Sequence, residues 1–476
     1  MASLSRTIGA AAAGLLAAAL AVGPPPPAAA QETAANETAL VETEVVFHSG
    51  DREVGATVIA PEGAQGLPGV VLVAGSGPGP GRDRYRANAE AFAEAGIVAM
   101  IYDKRGTGEG YTQFEGSFAD LADDANAAVQ ALRVRPEVDP ALVGLHGHSE
   151  GAWTVIEAAA RSEAAAFVIT SGGSGLTPED TQAWMNRNGL VDAGVGEGLA
   201  AALGDRMIAA LAADGLFRLA GYDPVPALSG LDRPFLGVFA EFDLNTPPGR
   251  TMELYEAALQ GNDNYALRLI PGVDHGMAPT VDGTTAPGHD EDAIDPRYVE
   301  TVADWVLGLA AGESGVVVDA IPVEAVPPGP VAAAPWFGTA TALLAALGLF
   351  GVLFLAYPAA ALVAKASGRG PLAATWASRT VAAIGLLLPV LAACYSAWVL
   401  MSGGQEPLGP VVAGRPLPWL VLQAAAVAML AAAVVLGVQW RRRRKELGAG
   451  SKLRFSALLI GAALMVPWGV YWGLAA

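Results

Sequence analysis

A serine hydroxyl becomes a nucleophile when a base takes its proton, a third group orients the base, and hydrogen-bond donors await the charge that forms. The stretch LVGLHGHSEGAW (142–153) holds Gly147-His148-Ser149-Glu150-Gly151, a Gly-x-Ser-x-Gly pentapeptide. Among 58 glycines the match alone is weak. It gains weight because an apolar strand-like run precedes it and a helix-like run follows, the setting of a sharp turn that presents a serine. Side chains at the two flanking positions would collide with the neighbouring strand and helix, so glycine belongs there. The base must be one of five histidines. His146 and His148 are fixed by the pentapeptide and read as packing residues. His48 lies in an N-terminal strand, and His289 lies in the acidic loop PGHDED. His275, in PGVDHGM just after a late apolar strand, is the expected base. Asp243, in FAEFDLNTPP, is the expected orienting carboxylate. Glu241 is its local rival, and Asp274 adjoins His275 too closely for the side chains to converge. The oxyanion donors are expected to be the backbone N–H groups of Glu150 and of Ser76 in the glycine-rich loop GSGPGPGRDR.

These residues need a scaffold that brings them to one edge. GVVLVAG (69–75), IVAMIY (97–102), LVGLH (142–146), AFVITSG (166–172), PFLGVFA (234–240) and ALRLIPG (266–272) read as buried strands. Helical runs lie between them, near 83–96, 116–133, 150–161, 250–260 and 297–311. Such alternation predicts an α/β fold, a doubly wound and mainly parallel sheet. TEVVFHSGDREVGATVIAP adds two strands around a turn ahead of it. A mostly helical insert, 176–233, is placed to cap the edge where ligands bind in open α/β sheets.

Composition divides the chain further. Hydrophobic residues make up 53% and charged residues 16%, with a net charge of −19. From residue 335 onward there are 11 basic and 2 acidic residues, whereas 31–334 hold 16 basic and 45 acidic. So acidic a region lacks the clustered Lys and Arg that nucleic acid requires. A solubilising surface explains it, and adaptation to high salt is the alternative. The single cysteine, Cys394, excludes an intrachain disulfide and a thiolate metal site. No metal or cofactor is expected.

The N-terminus has a basic start (Arg6), an apolar run at 8–22, GPPPP, and Ala28-Ala29-Ala30. This pattern predicts a secretory signal peptide over 1–30, with an uncleaved anchor as the alternative. A linker over 31–42, a sheet domain over 43–320 and a Pro-rich tether over 321–335 are expected to follow. Residues 336–476 contain four apolar runs, 336–364, 380–401, 417–440 and 455–475, each long enough to cross a bilayer. The loops after the first and third are basic, and the loop between the second and third holds only Arg415 and Glu406. The positive-inside rule puts the basic loops in the cytoplasm and the sheet domain on the extracytoplasmic side of the membrane. The runs carry no Asp, Glu, Lys, Arg or His in their interiors, which favours an anchor or partner-binding bundle over a transporter.

VLVAGSGPGPGRDR, YDKRGTGEG, GLHGHSEGAW, FAEFDLNTPP and PGVDHGM, in this order, resemble α/β-hydrolases of the dienelactone-hydrolase-like and serine-aminopeptidase-like groups. Those groups include bacterial secreted esterases and acyl-thioesterase relatives. The resemblance covers roughly 43–312 and implies a serine hydrolase with Ser149, Asp243 and His275 as its triad. It also implies that the loop holding Asp103, Arg105 and Gly106 is structural. The chain has Ala74-Gly75 where many relatives have His-Gly, and Ser149 where true dienelactone hydrolases have cysteine. Three functions follow as expectations. The first is a membrane-tethered hydrolase of small acyl esters or thioesters. The second is a peptidase on the same triad, with Glu179, Asp180, Asp192 and Glu197 of the cap to hold the substrate amine. The third is a non-enzymatic sensor or binding module.

Overall fold

The computed structural model describes residues 39–76, 81–105, 116–217, 219–284, 293–406 and 409–476. The expected signal segment, most of the expected linker, Gly106 and His289 lie outside the described residues.

Strands β1 (Leu40–Ser49) and β2 (Arg52–Pro61) form an antiparallel hairpin. The linker expected to run to residue 42 ends earlier, because Leu40, Val41 and Glu42 already pair with Pro61, Ala60 and Ile59. β2 is antiparallel to β4 (Val98–Tyr102). From β4 onward all pairings are parallel, through β3 (Leu67–Val73), β5 (Val138–His148), β6 (Val168–Ser171), β7 (Phe235–Ala240) and β8 (Tyr265–Ile270) to β9 (Val316–Val318). The strand order β1-β2-β4-β3-β5-β6-β7-β8-β9 is the expected doubly wound sheet of an α/β-hydrolase, plus a short edge strand that the sequence reading did not find.

Both faces of the sheet are covered. Helices α2 (Phe118–Arg133), α3 (Glu150–Arg161), α6 (Pro224–Ser229) and α7 (Pro248–Ala258) bury one face. Helices α1 (Arg86–Glu94) and α8 (Pro296–Ala310) bury the other. Two covered faces explain why β4 and β7 are apolar at every position rather than alternating. The insert forms α4 (Pro178–Asp192) and α5 (Glu197–Ala213), followed by α6.

Four long helices complete the chain: α9 (Ala340–Ala366), α10 (Trp376–Met401), α11 (Leu417–Arg443) and α12 (Ala449–Tyr471). At 23 to 27 residues each they are long and apolar enough to cross a membrane. α10 starts four residues before the expected run, because Thr375 and Ser378 form a capping box, so Arg379 lies inside the helix rather than in the loop. α12 likewise takes in Lys452 and Arg454, whose guanidinium lies 4.0 Å over the Tyr357 ring. The bundle packs through small residues: added Cβ atoms on Gly385 and Gly461 would meet the Phe354 ring at 2.4 and 2.8 Å. α9 and α11 begin, and α10 and α12 end, at the rim that meets the cap. Gly403 there packs on Met185, Gly473 on Ala202, and Gly196 N–H donates to the Gly414 carbonyl. The segment expected as a Pro-rich tether is strapped along α4. Trp184 Nε1 donates to the Val326 carbonyl at 2.8 Å, and Val331 N–H to Asp180 Oδ1 at 2.7 Å.

Candidate active site

Ser149 sits between β5 and α3 with φ 55° and ψ −120°, a left-handed conformation that costs a non-glycine residue about 1–3 kcal/mol. The surroundings enforce it. A Cβ on Gly147 would lie 2.1 Å from the Gly151 carbonyl oxygen, and one on Gly151 would lie 2.2 Å from that of Val73. α3 is therefore pressed onto β3 at a distance only glycine allows, as the pentapeptide implied. Ser149 N–H is tied to the Ser171 carbonyl at the end of β6.

The pocket beside it, about 260 Å³, is lined by Ser149, His275, Ser76 and Glu150, with His148, Arg84 and Tyr85. Its cap side is formed by Met185, Phe217 and Leu219. All five residues expected to do chemistry meet here, Asp243 one bond further out. His275 Nδ1 donates to Asp243 Oδ2 at 2.9 Å, which leaves Nε2 as the ring's acceptor. Asp243 is itself held: its Oδ1 accepts from the N–H groups of Asn245 and Thr246, and its Oδ2 from Thr246 Oγ1. Gly172, at φ 55°, makes room for the imidazole; a Cβ there would stand 3.1 Å from two ring atoms. Among the described residues no hydrogen bond joins Ser149 Oγ to His275. Such bonds are often long before a substrate is bound.

The rivals are accounted for. Glu241 turns away and accepts from Gly272 N–H, while Asp274 accepts from Ala278 N–H inside its own loop. His48 is exposed on β1. His146 is buried against Tyr298 and Ser171, and burial pushes its pKa down to about 3. His148 is also held well below 6.5 by burial and by His275, whose ring lies 5.0 Å away. His275 differs from both. Burial lowers its pKa, but the charge and hydrogen bond of Asp243, helped by Asp274, outweigh this and leave it raised above 6.5.

Two residues escaped the sequence reading. Tyr85 OH accepts from Gly75 N–H at 3.0 Å, so the next amide, Ser76 N–H, is the one left to serve as donor. Lys104 is buried behind the site. Its Nζ donates to the Gly75 carbonyl at 3.1 Å and to Glu150 Oε1 at 2.5 Å. A trans peptide points its C=O and N–H in opposite directions. By holding the Gly75 carbonyl, Lys104 fixes the Gly75-Ser76 peptide and hence where Ser76 N–H points. The signal was present: a lysine two residues past a fully buried strand must find partners. Its neighbours do match expectation. Arg105 and Arg52 clasp the buried Asp124, and Asp103 pairs with Arg82, contacts of the structural kind that the resemblance implied for these two residues.

None of the four cap acids lines the pocket. The Glu179 carboxylate accepts from Gly221 N–H, and Asp180 holds the strap. The carboxylate that does line it, Glu150, is paired with Lys104.

Residues 68–193 match the family model described as serine aminopeptidase, S33. Similar solved structures include a dienelactone hydrolase from Anabaena variabilis, 20% identical, covering 56% of this chain and 97% of that one, with a TM-score of 0.36. A proline iminopeptidase from Mycobacterium smegmatis is 19% identical over 56% and 100%, with a TM-score of 0.39. An esterase from Pyrococcus furiosus is 13% identical over 56% and 92%, with a TM-score of 0.38. No curated protein matches the chain.

Proposed function

We propose that this α/β-hydrolase-fold protein is a membrane-anchored serine hydrolase that cleaves carboxylic esters or thioesters through an acyl-enzyme on Ser149. The observation that carries the reading is a strained Ser149 sharing one pocket with His275, whose Nδ1 is bonded to Asp243. His275 Nε2 takes the Ser149 proton as Oγ attacks the substrate carbonyl carbon. The carbonyl oxygen becomes an oxyanion, held by the N–H groups of Ser76 and Glu150, with the N-terminus of α3 adding its dipole. Collapse of the tetrahedral intermediate breaks the bond to the leaving oxygen or sulfur, which receives the proton from His275. A water, deprotonated by His275, then releases the acid and restores Ser149.

An ester or thioester is favoured over a peptide with a free N-terminus. An ammonium group needs a carboxylate, and the one lining the pocket is already neutralised by Lys104. The cationic Arg84 lines the pocket as well. The matched family model keeps the peptidase reading open as the alternative. Turnover of nitrophenyl esters against aminoacyl anilides separates them. We expect esters to be cleaved at least about 100-fold faster, and efficient anilide cleavage with ester turnover lacking would reverse the assignment.

The four apolar helices anchor the enzyme. Ten of the eleven basic residues beyond 335 belong to the rim away from the cap, around the 367–375 and 444–448 connections. The positive-inside rule then supports a hydrolase domain on the extracytoplasmic side, in line with a signal segment at 1–30.

A further inference from the structure

An anchor needs only a covalent connection, yet three walls of the pocket are fastened to the bundle by separate contacts. The first is the turn after β7. Asn245 lines the pocket, its N–H holds Asp243 Oδ1, and its own side-chain Oδ1 accepts from Gln405 Nε2 at 2.7 Å. Gln405 belongs to the 402–406 connection that leaves α10. The second wall is α4, which supplies Met185. Gly403 and Gly404 press on it in left-handed conformations, φ 60° and 76°. A Cβ on Gly404 would come within 2.1 Å of the Asn186 carbonyl oxygen, and one on Gly403 within 3.0 Å of Met185 Cε. The third wall carries Phe217, three residues beyond Asp214, whose Oδ2 accepts from Thr341 N–H in the first turn of α9.

We infer that the 402–406 connection of the membrane bundle is a positioning part of the catalytic site: Gln405 fixes Asn245, and through that turn Asp243 and His275, while Gly403 and Gly404 set the α4 wall. The inference rests on the serine-hydrolase reading for its kinetic consequences, but not for its structural ones. Gln405 touches no reacting atom and acts through Asn245. Its side chain also spans two parts of the chain 160 residues apart, so any tilt of α10 is passed to the turn that holds the acid.

The test uses the full chain in detergent or nanodiscs. Gln405→Ala is expected to lower kcat on a short nitrophenyl ester about 3- to 10-fold with KM changed less than twofold, because the pocket surface is kept and only the triad's alignment is lost. Gln405→Glu is expected to recover most of the rate, since Asn245 can turn its amide and donate to the new carboxylate. Asn245→Ala should produce a similar loss, and the double variant should lose no more than the worse single one. Hydrogen–deuterium exchange on the same samples supplies the structural readout. The Asn245 and Thr246 amides should exchange faster in Gln405→Ala. Wild-type kinetics in that variant, or losses that multiply in the double variant, would overturn the inference. If the wild type is inert toward esters, the serine-hydrolase reading fails by itself. Unchanged amide exchange in Gln405→Ala then still overturns the positioning role, and faster exchange supports it.

Discussion

At the scale of single residues, the proposed chemistry depends on the protonation of His275. Its pKa is raised above 6.5, because Asp243 outweighs the opposing effect of burial. The base works only when neutral, so activity rises with pH through that value. We predict that the acidic limb of the kcat/KM profile has its midpoint above 6.5, and that Asp243→Asn lowers kcat up to about 10⁴-fold by holding the ring in the wrong tautomer. The same shift makes protonation of His275 favourable to the fold below its unfolded pKa, a contribution lost as pH rises through the raised one. Lys104 makes a second prediction. Lys104→Met keeps the stem but frees the Gly75 carbonyl and leaves Glu150 unpaired. We expect kcat to fall about 10²-fold, near the loss of one oxyanion donor, with KM nearly unchanged. A drop in thermal stability with kinetics intact would make Lys104 merely structural. That Ser149, His275 and Asp243 come together was legible in the sequence, because each follows a buried strand at the same sheet edge. Lys104 and Tyr85 were not, because their importance lies in contacts across 29 and 10 residues that no local pattern records.

At the scale of elements, the turn between β5 and α3 stores strain that close packing sustains. Gly151 is the contact point, 2.2 Å being far too near for any Cβ to face the Val73 carbonyl. Gly151→Ala should cost about 1–3 kcal/mol by overpacking. It should also slow acylation, because Val73 leads directly to Gly75 and Ser76; a melting curve and a rate on one sample check both. The main strands and helices were readable because continuous apolar runs mark doubly covered strands. β9 escaped because three valines at an exposed edge, after Gly315, carry no periodicity. The 321–335 strap escaped because its proline content says extended, and only the partners on α4 say docked. Helix ends in the bundle shifted where caps and arginines, invisible to hydropathy, prolong a helix past its apolar run.

At the scale of the whole molecule, charge and hydropathy divide the chain into an acidic α/β part and an apolar bundle, and this division was visible in composition alone. The close contact of cap and bundle was not, since the apolar residues through which α4 and α5 share a core with the bundle, among them Leu190, Leu199 and Leu203 with Tyr395 and Trp419, look in sequence like those of any buried helix. The arrangement puts the pocket and the charge-poor rim on one side and the arginine-rich rim on the other. A membrane-impermeant fluorophosphonate should therefore label intact cells as fully as lysed ones; labelling only after lysis would reverse the orientation. The most direct test of the account is the covalent adduct itself. The full chain, folded in native membranes, is treated with a fluorophosphonate and its peptides are mapped by mass spectrometry. One adduct is expected, on Ser149, absent from Ser149→Ala. A folded protein that stays unlabelled, or an adduct on another residue, would contradict it.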